Sequence, residues 1–258
     1  MKAVVTTPQS VDAVNQDLAD FIHASGLEYI PRQKASLHKI ALDHCADAVI
    51  VWETAGPVVY LGTEKLFFHP SMAKCRLAAF RKQGRQDLMV KACQLTPGDS
   101  FLDCTLGMGA DAIVAAYFSG TGKITGLESQ PVLAGVISWG MKLYQGQMDW
   151  LNQAIHRIEV VPSHHADFLR QQADQSYDII YFDPMFARPL LQSQPLAPLR
   201  KMANHAALEA STIQEACRVA RQRVVLKTLA SGSELERLGF SKVVGSKHNP
   251  IIYGIIGV

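Results

Sequence analysis

Three short segments of the chain place a glycine turn or an acidic residue directly after an apolar run. Phe101–Asp103 leads into Gly107-Met-Gly109, a second apolar run ends at Glu128, and a third ends at Asp183-Pro-Met-Phe186. Apolar runs of this kind predict buried parallel strands, whose carboxyl ends meet at one edge of a sheet. Taken in this order, the three segments predict one nucleoside-binding site with a reactive edge.

The glycine turn at Gly107-Met-Gly109 opens a helix-like stretch. Glycine lets the backbone approach a ligand closely, and the first turn of a helix offers unpaired N–H groups. Ala112 stands where a pyrophosphate-binding turn has its third glycine, a replacement that looser forms of that motif allow. Asp111 would nevertheless repel a phosphate, and it suits a phosphate-free ligand with a cationic amino group, such as S-adenosylmethionine. A tight strand–helix turn without a ligand is the alternative.

Two further groups of polar residues follow the next strands. Glu128 has the position from which an acid binds the two hydroxyls of a ribose, and a solvated loop acid is the alternative. His164-His165-Ala-Asp167 follows the third strand, where groups that border an adenine are expected, and Asp167 could accept from the adenine amino group. Only Asp167 is near enough to help the histidine pair hold a metal, and no cysteine completes a tetrahedral set, so we predict no metal.

Asp183-Pro184-Met185-Phe186 is the most specific of these motifs. The Asp183 carboxylate and the backbone carbonyl that follows it can accept hydrogen bonds from an exocyclic amine, which holds the amine in line with a methyl sulfonium. Phe186 can stack on the base. We therefore predict catalytic roles for Asp183, Pro184 and Phe186. In the alternative interpretation, Asp-Pro caps a helix and Phe186 belongs to the core.

Strands and helices alternate from Ser100 onward, which predicts right-handed βαβ units and a parallel sheet covered on both faces. The chain ends differently, on two strands joined by a loop that leaves no room for a helix. This arrangement is typical of class I methyltransferases, whereas a dinucleotide-binding domain would continue with another crossover helix. The predicted strands are Phe101–Asp103, Ile124–Glu128, Ile158–Pro162, Asp178–Asp183, Arg223–Lys227, Phe240–Val244 and Ile251–Ile256. The predicted helices are Ala110–Phe118, Pro131–Tyr144 and His205–Arg221.

The first 70 residues predict a small α+β domain. Lys2–Thr6 has the pattern of a strand, and Ser10 could cap the helix that follows it. Val49–Trp52 and Val58–Leu61 predict two more strands, separated by a turn at Gly56-Pro57.

Composition places the chain among ordinary soluble globular proteins. Of its 258 residues, 48% are apolar and 19% are charged, and the net charge of +2 excludes binding to polyanions by bulk charge alone. The five cysteines are scattered without a C-x-x-C pair, which indicates reduced thiols in the cytosol. The N-terminus lacks the apolar core of a signal peptide, and the apolar runs are too short to cross a bilayer. We therefore predict a cytoplasmic protein without membrane contact.

Together, Asp103-Cys-Thr-Leu-Gly-Met-Gly-Ala-Asp111, Asp183-Pro-Met-Phe186 and Arg223-Val-Val-Leu-Lys227 resemble the RsmJ family. Its members are bacterial small-subunit ribosomal RNA guanine-N2 methyltransferases of class I fold that depend on S-adenosylmethionine. The resemblance implies an α/β, Rossmann-like fold with a mostly parallel seven-stranded sheet and a C-terminal antiparallel hairpin. It also implies S-adenosylhomocysteine as the product and ribosomal RNA or the small ribosomal subunit as the partner.

The resemblance further implies a set of cofactor contacts. They are Ala110, Asp111, Glu128, Ser129, His164, His165 and Asp183. The predicted cofactor site is completed by Asp103, Gly107, Gly109 and Asp167. The family pattern has an arginine in place of Ala110, a basic residue in place of Ser129 and small hydroxyl residues in place of the two histidines. These differences leave the RNA target open.

Residues 71–95 predict a basic helical connector at the start of a domain that runs from 71 to 258. We predict an RNA-binding surface that consists of Lys74, Arg76, Arg81, Lys82, Arg85 and Arg188. Phosphate contacts would provide affinity, and a splayed-out guanine would provide specificity. A solvated helix face is the alternative.

Several functions remain open at this point. Methylation of a guanine amine in ribosomal RNA is the leading hypothesis, and another amine, such as adenine in DNA or a small molecule, is a second enzymatic one. A non-catalytic nucleotide-binding module would hold the ligand without turnover. A dehydrogenase is disfavoured because Asp111 spoils a phosphate-binding turn.

Overall fold

In the computed structural model the chain folds into two β-sheets with helices packed against them. The structure describes residues 1–9, 11, 13–185, 197–202, 204, 206–230, 233–246 and 249–258. The strands are β1 (Ala3–Thr6), β2 (Glu28–Tyr29), β3 (Ala48–Glu53), β4 (Gly56–Leu61), β5 (Glu64–Leu66), β6 (Phe101–Asp103), β7 (Ile124–Glu128), β8 (Ile158–Pro162), β9 (Tyr177–Phe182), β10 (Ala220–Leu229), β11 (Lys242–Ser246) and β12 (Asn249–Gly257). The helices are α1 (Gln16–Ser25), α2 (Leu37–Asp43), α3 (Ser71–Gln83), α4 (Leu88–Cys93), α5 (Ala110–Ser119), α6 (Pro131–Leu143), α7 (Asp149–His156), α8 (His165–Gln171), α9 (Ala197–Met202), α10 (Ala210–Val219) and α11 (Glu234–Arg237).

The larger sheet has seven strands in the order β11-β12-β10-β9-β6-β7-β8. The strands from β10 to β8 pair in parallel, and β12 runs antiparallel to both of its neighbours. The predicted α/β fold, with a mostly parallel seven-stranded sheet and a C-terminal hairpin, is confirmed. From β6 the chain continues outward in one direction through β7 and β8, and it returns to β9 on the other side of β6. Ligands bind at such a reversal of strand order, at the carboxyl ends of the strands.

The central strands of this sheet are buried on both faces. Phe101–Asp103 is buried throughout, and so is all of Tyr177–Phe182 except the half-buried Asp178. Helix α5, which follows β6, is also buried along most of its length. Covered faces explain why these strands are continuous apolar runs in the sequence and not alternating ones.

The smaller sheet has the order β2-β1-β3-β4-β5, with β1 parallel to both neighbours and β3, β4 and β5 antiparallel. Helix α1 begins after Asn15, whose side chain accepts from the Leu18 N–H, and the predicted cap Ser10 lies outside the described residues. The predicted turn at Gly56-Pro57 is wrong, because both residues belong to β4 and Pro57 pairs with Trp52.

The two sheets share one hydrophobic core. The rings of Phe21, Trp52 and Trp139 join α1, β3 and α6, with ring centres 5.2–6.2 Å apart. At the next residue of α6, Gly140 lies so close to Phe68 that an added Cβ would come within 2.2 Å of the Phe68 Cβ. The smaller sheet is therefore packed against α6, a helix that follows a strand of the larger sheet. The predicted domain boundary near residue 70 stays a prediction.

Candidate active site

A cleft opens at the carboxyl edge of the larger sheet, between the loops that follow β6 and β9. This is the point at which the strand order reverses. Residues from β7, α8 and the segment around α9 complete its walls. The lining residues are Cys104, Thr105, Gly107, Leu127, Glu128, Ser129, His165, Asp183, Pro184, Met185, Leu199, Asn204 and Ala206.

The loop after β6 requires its two glycines. Gly107 and Gly109 have φ angles of +50° and +74°, a backbone region that residues with a Cβ rarely adopt. Gly109 is the N-cap of α5, and a Cβ there would come within 2.2 Å of Met141 Cε. Gly107 lines the cleft, so the loop presents backbone to the cleft beside the first turn of a helix.

Glu128 ends β7 with only 7% of its surface exposed. Its Oε1 accepts the Gln130 N–H at 2.9 Å, which fixes the carboxylate at the cleft wall. Burial raises the pKa of Glu128, and the N–H groups of Gln130 and Gly107 oppose that rise. A fixed acid at a strand end can accept hydrogen bonds from a pair of hydroxyls, as the sequence predicts.

His165 presents an uncharged ring to the cleft. Its ring stacks on His164 at 4.2 Å between centres and meets Phe182 edge-on at 5.7 Å. Burial and the neighbouring His164 lower the pKa of His165 to about 4, so the imidazole is neutral at pH 7. A neutral, packed ring of this kind can border a planar, uncharged base.

Asp183 follows β9 and is held from two sides. Its backbone N–H donates to Thr105 Oγ1 at 2.6 Å, which ties the loop after β9 to the loop after β6. Its Oδ2 accepts from Lys227 Nζ at 2.7 Å, while 28% of the side chain remains exposed. The carboxylate therefore has a fixed orientation and one side open to the cleft, next to Pro184 and Met185.

An ion network extends from Asp183 into the interior. Lys227 Nζ also donates to Asp111 Oδ2 at 3.1 Å, and the Tyr181 hydroxyl donates to the same oxygen at 2.9 Å. Arg76 binds the other oxygen of Asp111 and forms two hydrogen bonds to Asp87, at 2.8 and 2.9 Å. Two cations thus face three carboxylates, and the network carries one excess negative charge when all five groups are ionised.

This network contains two of the sequence-predicted site residues. Asp111 is 6% exposed and pairs with Arg76 and Lys227, and its contact with a ligand's amino group stays a prediction. Burial alone would raise the pKa of Asp111, but the two cations outweigh burial and lower it below its ordinary range. The Arg76 side chain is 23% exposed and pairs with Asp87 and Asp111, and its contact with RNA stays a prediction.

Five other residues of the predicted cofactor site, Gly109 among them, are also not among those that line the cleft. Asp103 is buried and accepts the Thr105 N–H at 3.0 Å, and Ala110 begins α5. His164 caps α8 through a bond from the Ala166 N–H at 3.3 Å. Asp167 is exposed and pairs with Arg170 one turn along the same helix, and its contact with an adenine stays a prediction.

The predicted catalytic residue Phe186 and the predicted RNA contact Arg188 lie outside the described residues. Lys74, Arg81, Lys82 and Arg85 are exposed on α3 and the turn after it. Arg81 donates to the Tyr117 hydroxyl at 3.0 Å and covers the Trp150 ring at 5.1 Å, so its guanidinium is partly engaged with α5 and α7.

Lys227, Tyr181 and Thr105 contact the site residues, although no motif in the sequence predicts a role for them. Lys227 carries a signal that could have been used, because a lysine in an apolar run at the end of a buried strand requires a buried partner. Nothing in the local sequence identifies that partner.

The described ranges hold neither a metal-binding cluster nor a helix that could cross a membrane. They contain no group of three or more histidine, cysteine or acidic residues that could hold a metal ion. None of their helices combines the length and the apolar character that a bilayer crossing requires.

Comparisons with known proteins converge on one kind of family. A family model described as "Putative SAM-dependent methyltransferase" matches residues 66–250. The chain is 35% identical over 231 residues to the uncharacterized protein YpiP of Bacillus subtilis (strain 168), an alignment that covers 89% of each chain.

More distant relatives are named ribosomal RNA small subunit methyltransferase J. The one from Acinetobacter baumannii (strain SDF) is 30% identical over 40% of this chain and 36% of its own length. The one from Pseudomonas syringae pv. syringae (strain B728a) is 27% identical over 56% of this chain and 54% of its own length. The chain therefore aligns with only about a third to a half of these relatives.

Among solved structures, a SAM-dependent methyltransferase from Neisseria gonorrhoeae, NGO1261, superimposes with a TM-score of 0.68. The superposition covers 98% of this chain and 95% of that one, at 20% sequence identity. Identity at this level supports the shared fold alone.

Proposed function

Because the chain belongs to this family of S-adenosylmethionine-dependent methyltransferases, we propose that it methylates the exocyclic N2 amine of a guanine in small-subunit ribosomal RNA. The distant similarity to ribosomal RNA small subunit methyltransferase J supports this choice of substrate. The observation that carries the proposal is the fixed and partly exposed Asp183 carboxylate at the cleft.

The residues of the cleft fit the cofactor. Gly107 presents backbone without a side chain, Glu128 provides a fixed acceptor for ribose hydroxyls, and His165 provides a neutral ring for the adenine. The excess negative charge of the adjoining ion network favours a ligand that carries positive charge, as the sulfonium and amino groups of S-adenosylmethionine do. When bound, this cofactor supplies a methyl group on a positively charged sulfur.

Asp183 positions the acceptor amine. Its carboxylate and the neighbouring backbone carbonyl of Pro184 can each accept one N–H of a guanine amino group, which aims the nitrogen lone pair at the methyl carbon. The amine is uncharged before the reaction, so it needs orientation more than prior loss of a proton. The surplus proton leaves the nitrogen after the new N–C bond has formed, to Asp183 or to water.

Our proposed RNA contacts are the exposed cations of α3 and the turn after it, namely Lys74, Arg81, Lys82 and Arg85. Contacts from such side chains to phosphates add affinity without sequence preference and weaken as salt rises. The choice of guanine must then come from the cleft.

Replacement of Asp183 tests the proposed reaction. The variant Asp183→Asn keeps the shape of the side chain but loses the charged acceptor, and we expect methyl transfer to fall at least about 100-fold. The measurement is methyl transfer to small ribosomal subunits, naked ribosomal RNA, DNA and small-molecule extracts from cells that lack the protein, with mass spectrometry of the products. Calorimetry measures the binding of S-adenosylmethionine. Asp174→Asn is the control, because Asp174 is 75% exposed in a surface ion pair with Arg218.

The outcomes separate the alternatives. N2-methylguanosine in ribosomal RNA supports the proposal. Methylation confined to DNA or to small molecules overturns the substrate. S-adenosylmethionine binding without transfer to any of these pools overturns the enzymatic role and favours a nucleotide-binding module.

A further inference from the structure

We propose that Lys227 is a positioning residue for the reaction, whose ammonium group keeps the Asp183 carboxylate ionised and oriented toward the cleft. The inference rests on the proposed function, since it gives Asp183 its task. It goes beyond that function by assigning a role to a buried cation, at the end of an apolar strand, that does not itself line the cleft.

The backbone of the sheet places Lys227 beside Asp183. Strand β10 pairs in parallel with β9, with Leu226 opposite Phe182, so the next residues along the two strands are neighbours. The ammonium group lies 2.7 Å from Asp183 Oδ2, and the side chain is only 15% exposed. Because both strands are buried and paired, the backbones that carry the two side chains are held at a fixed spacing.

A second carboxylate, that of Asp111, also holds Lys227 in place. Its second bond, to Asp111, ends on a carboxylate that also accepts from the Tyr181 hydroxyl and from Arg76. Arg76 in turn holds Asp87, whose side chain accepts from the first N–H groups of α4. A lysine bound to Asp183 alone could move together with that side chain. Because Lys227 also binds the fixed Asp111 carboxylate, its ammonium group has a fixed position and sets the direction of the Asp183 side chain.

The charges around Asp183 in the described part of the chain make its ionisation depend on Lys227. Lys227 of β10 is the cation beside Asp183, and the carboxylates of Asp111 in α5 and Asp103 in β6 are its negative neighbours. The hydroxyls of Tyr181 and Tyr253 lie in the same cluster. Burial raises the pKa of Asp183, Lys227 opposes that rise, and Asp111 adds to it, with a resulting value of about 6. Burial alone would lower the pKa of Lys227, but Asp111 and Asp183 raise it, so the cation persists across the neutral range.

Two substitutions should shift the pKa of Asp183 in opposite directions. Lys227→Met removes the cation and leaves Asp183 beside Asp111, so the pKa of Asp183 should rise by at least about one unit. Asp111→Asn removes the competing carboxylate and leaves Lys227 to Asp183, so the pKa of Asp183 should fall by a similar amount. A salt bridge with a purely structural role would also shift the pKa of Asp183, but it would leave the pH dependence of methyl transfer unchanged.

Carbon-13 NMR of protein labelled at the aspartate carboxyl carbons measures this pKa directly and needs no substrate. The Asp183 signal is assigned by its loss in Asp183→Asn, and each variant is titrated between pH 4 and 9. Lys123→Met is the matched control, because Lys123 is 61% exposed and pairs with the surface residue Glu159. We expect an upward shift in Lys227→Met, a downward shift in Asp111→Asn and an unchanged value in Lys123→Met.

Methyl transfer measured against pH provides the second reading. If Asp183 must be ionised, activity rises with pH through its pKa, and the rising limb should move to higher pH in Lys227→Met. Shifts of equal sign in the two variants, or no shift, overturn the inference. Where Lys227→Met does not fold, Asp111→Asn decides, since its rising limb should move to lower pH together with the pKa of Asp183. Full activity of Asp183→Asn overturns the proposed function instead, whatever the NMR titrations show.

Discussion

At the scale of single residues, the cleft depends on acids whose surroundings set their charge and direction. Glu128 and Asp183 both end or follow a buried strand, yet they are held differently. Glu128 is fixed by a backbone N–H, which leaves its carboxylate free to accept from a ligand. Asp183 is fixed by a cation, which ties its ionisation to the ion network. The first arrangement suits the binding of hydroxyls, and the second suits the orientation of an amine.

Glu128 offers a direct test of cofactor binding. Glu128→Gln keeps the size of the side chain but removes its charge, and hydrogen bonds to a charged acceptor contribute about 1.5–3 kcal/mol. We therefore expect S-adenosylmethionine to bind roughly 10- to 150-fold more weakly, as measured by calorimetry. Glu159→Gln, on the neighbouring strand β8 and 59% exposed, should bind normally. Equal affinity in Glu128→Gln and the unmodified protein would remove Glu128 from the site.

At the scale of elements, helix α6 packs against both sheets. It contains two glycines whose surroundings differ. Gly140 faces Phe68 so closely that any side chain there must displace it. Gly135, in the same helix, meets nothing nearer than Phe21 Cε2 at 3.5 Å, an ordinary contact distance. The helix thus approaches the segment after β5 closely at one position, while the other glycine is not required by packing.

Two substitutions in α6 should therefore have opposite effects. Gly135→Ala should stabilise the protein by about 0.5–1 kcal/mol, because alanine restricts the unfolded chain and favours a helix. Gly140→Ala should destabilise it by about 1–3 kcal/mol despite the same gain in helix propensity, because the new Cβ overpacks the contact with Phe68. Urea unfolding measures both. Stabilisation by Gly140→Ala would show that α6 does not lie this close to Phe68.

At the scale of the whole molecule, the shared core predicts that the two sheets unfold together. The aromatic cluster of Phe21, Trp52 and Trp139 has members from the smaller sheet's elements and from α6. Helix α9 adds a second link, since Lys201 pairs with Glu64 of β5 at 2.7 Å while Leu199 lines the cleft. The smaller sheet is in this way connected to the wall of the cleft.

Trp52→Ala tests this coupling. Removal of a buried tryptophan costs about 3–5 kcal/mol, and with a shared core the whole protein should still melt in one transition, at a lower temperature. Calorimetry and circular dichroism should give the same midpoint. Met72→Ala is the control, because Met72 is 55% exposed and its loss should change stability by less than about 0.5 kcal/mol. A separate early transition in Trp52→Ala would show that the smaller sheet is an independent domain.

The fold class and the edge of the sheet that holds the cleft were both predictable from the sequence alone. Buried parallel strands are continuous apolar runs, and their ends at Glu128 and Asp183 are visible because strand, turn and helix signals are local. The glycines of the loop after β6 are visible for the same reason. Local patterns place such residues at the correct edge even when they say nothing of what lies beside them.

Only the tertiary structure decided which charges pair. Lys227 is 116 residues from Asp111 and 44 from Asp183, and Arg76 is 35 residues from Asp111. A basic residue on a helix looks the same in sequence whether it faces solvent or a buried carboxylate, so Arg76 was predicted on the RNA surface and Asp111 in the cofactor site. The free energy of a buried charge depends on partners that the fold brings together, and those partners are set by the packing of distant elements, not by spacing along the chain.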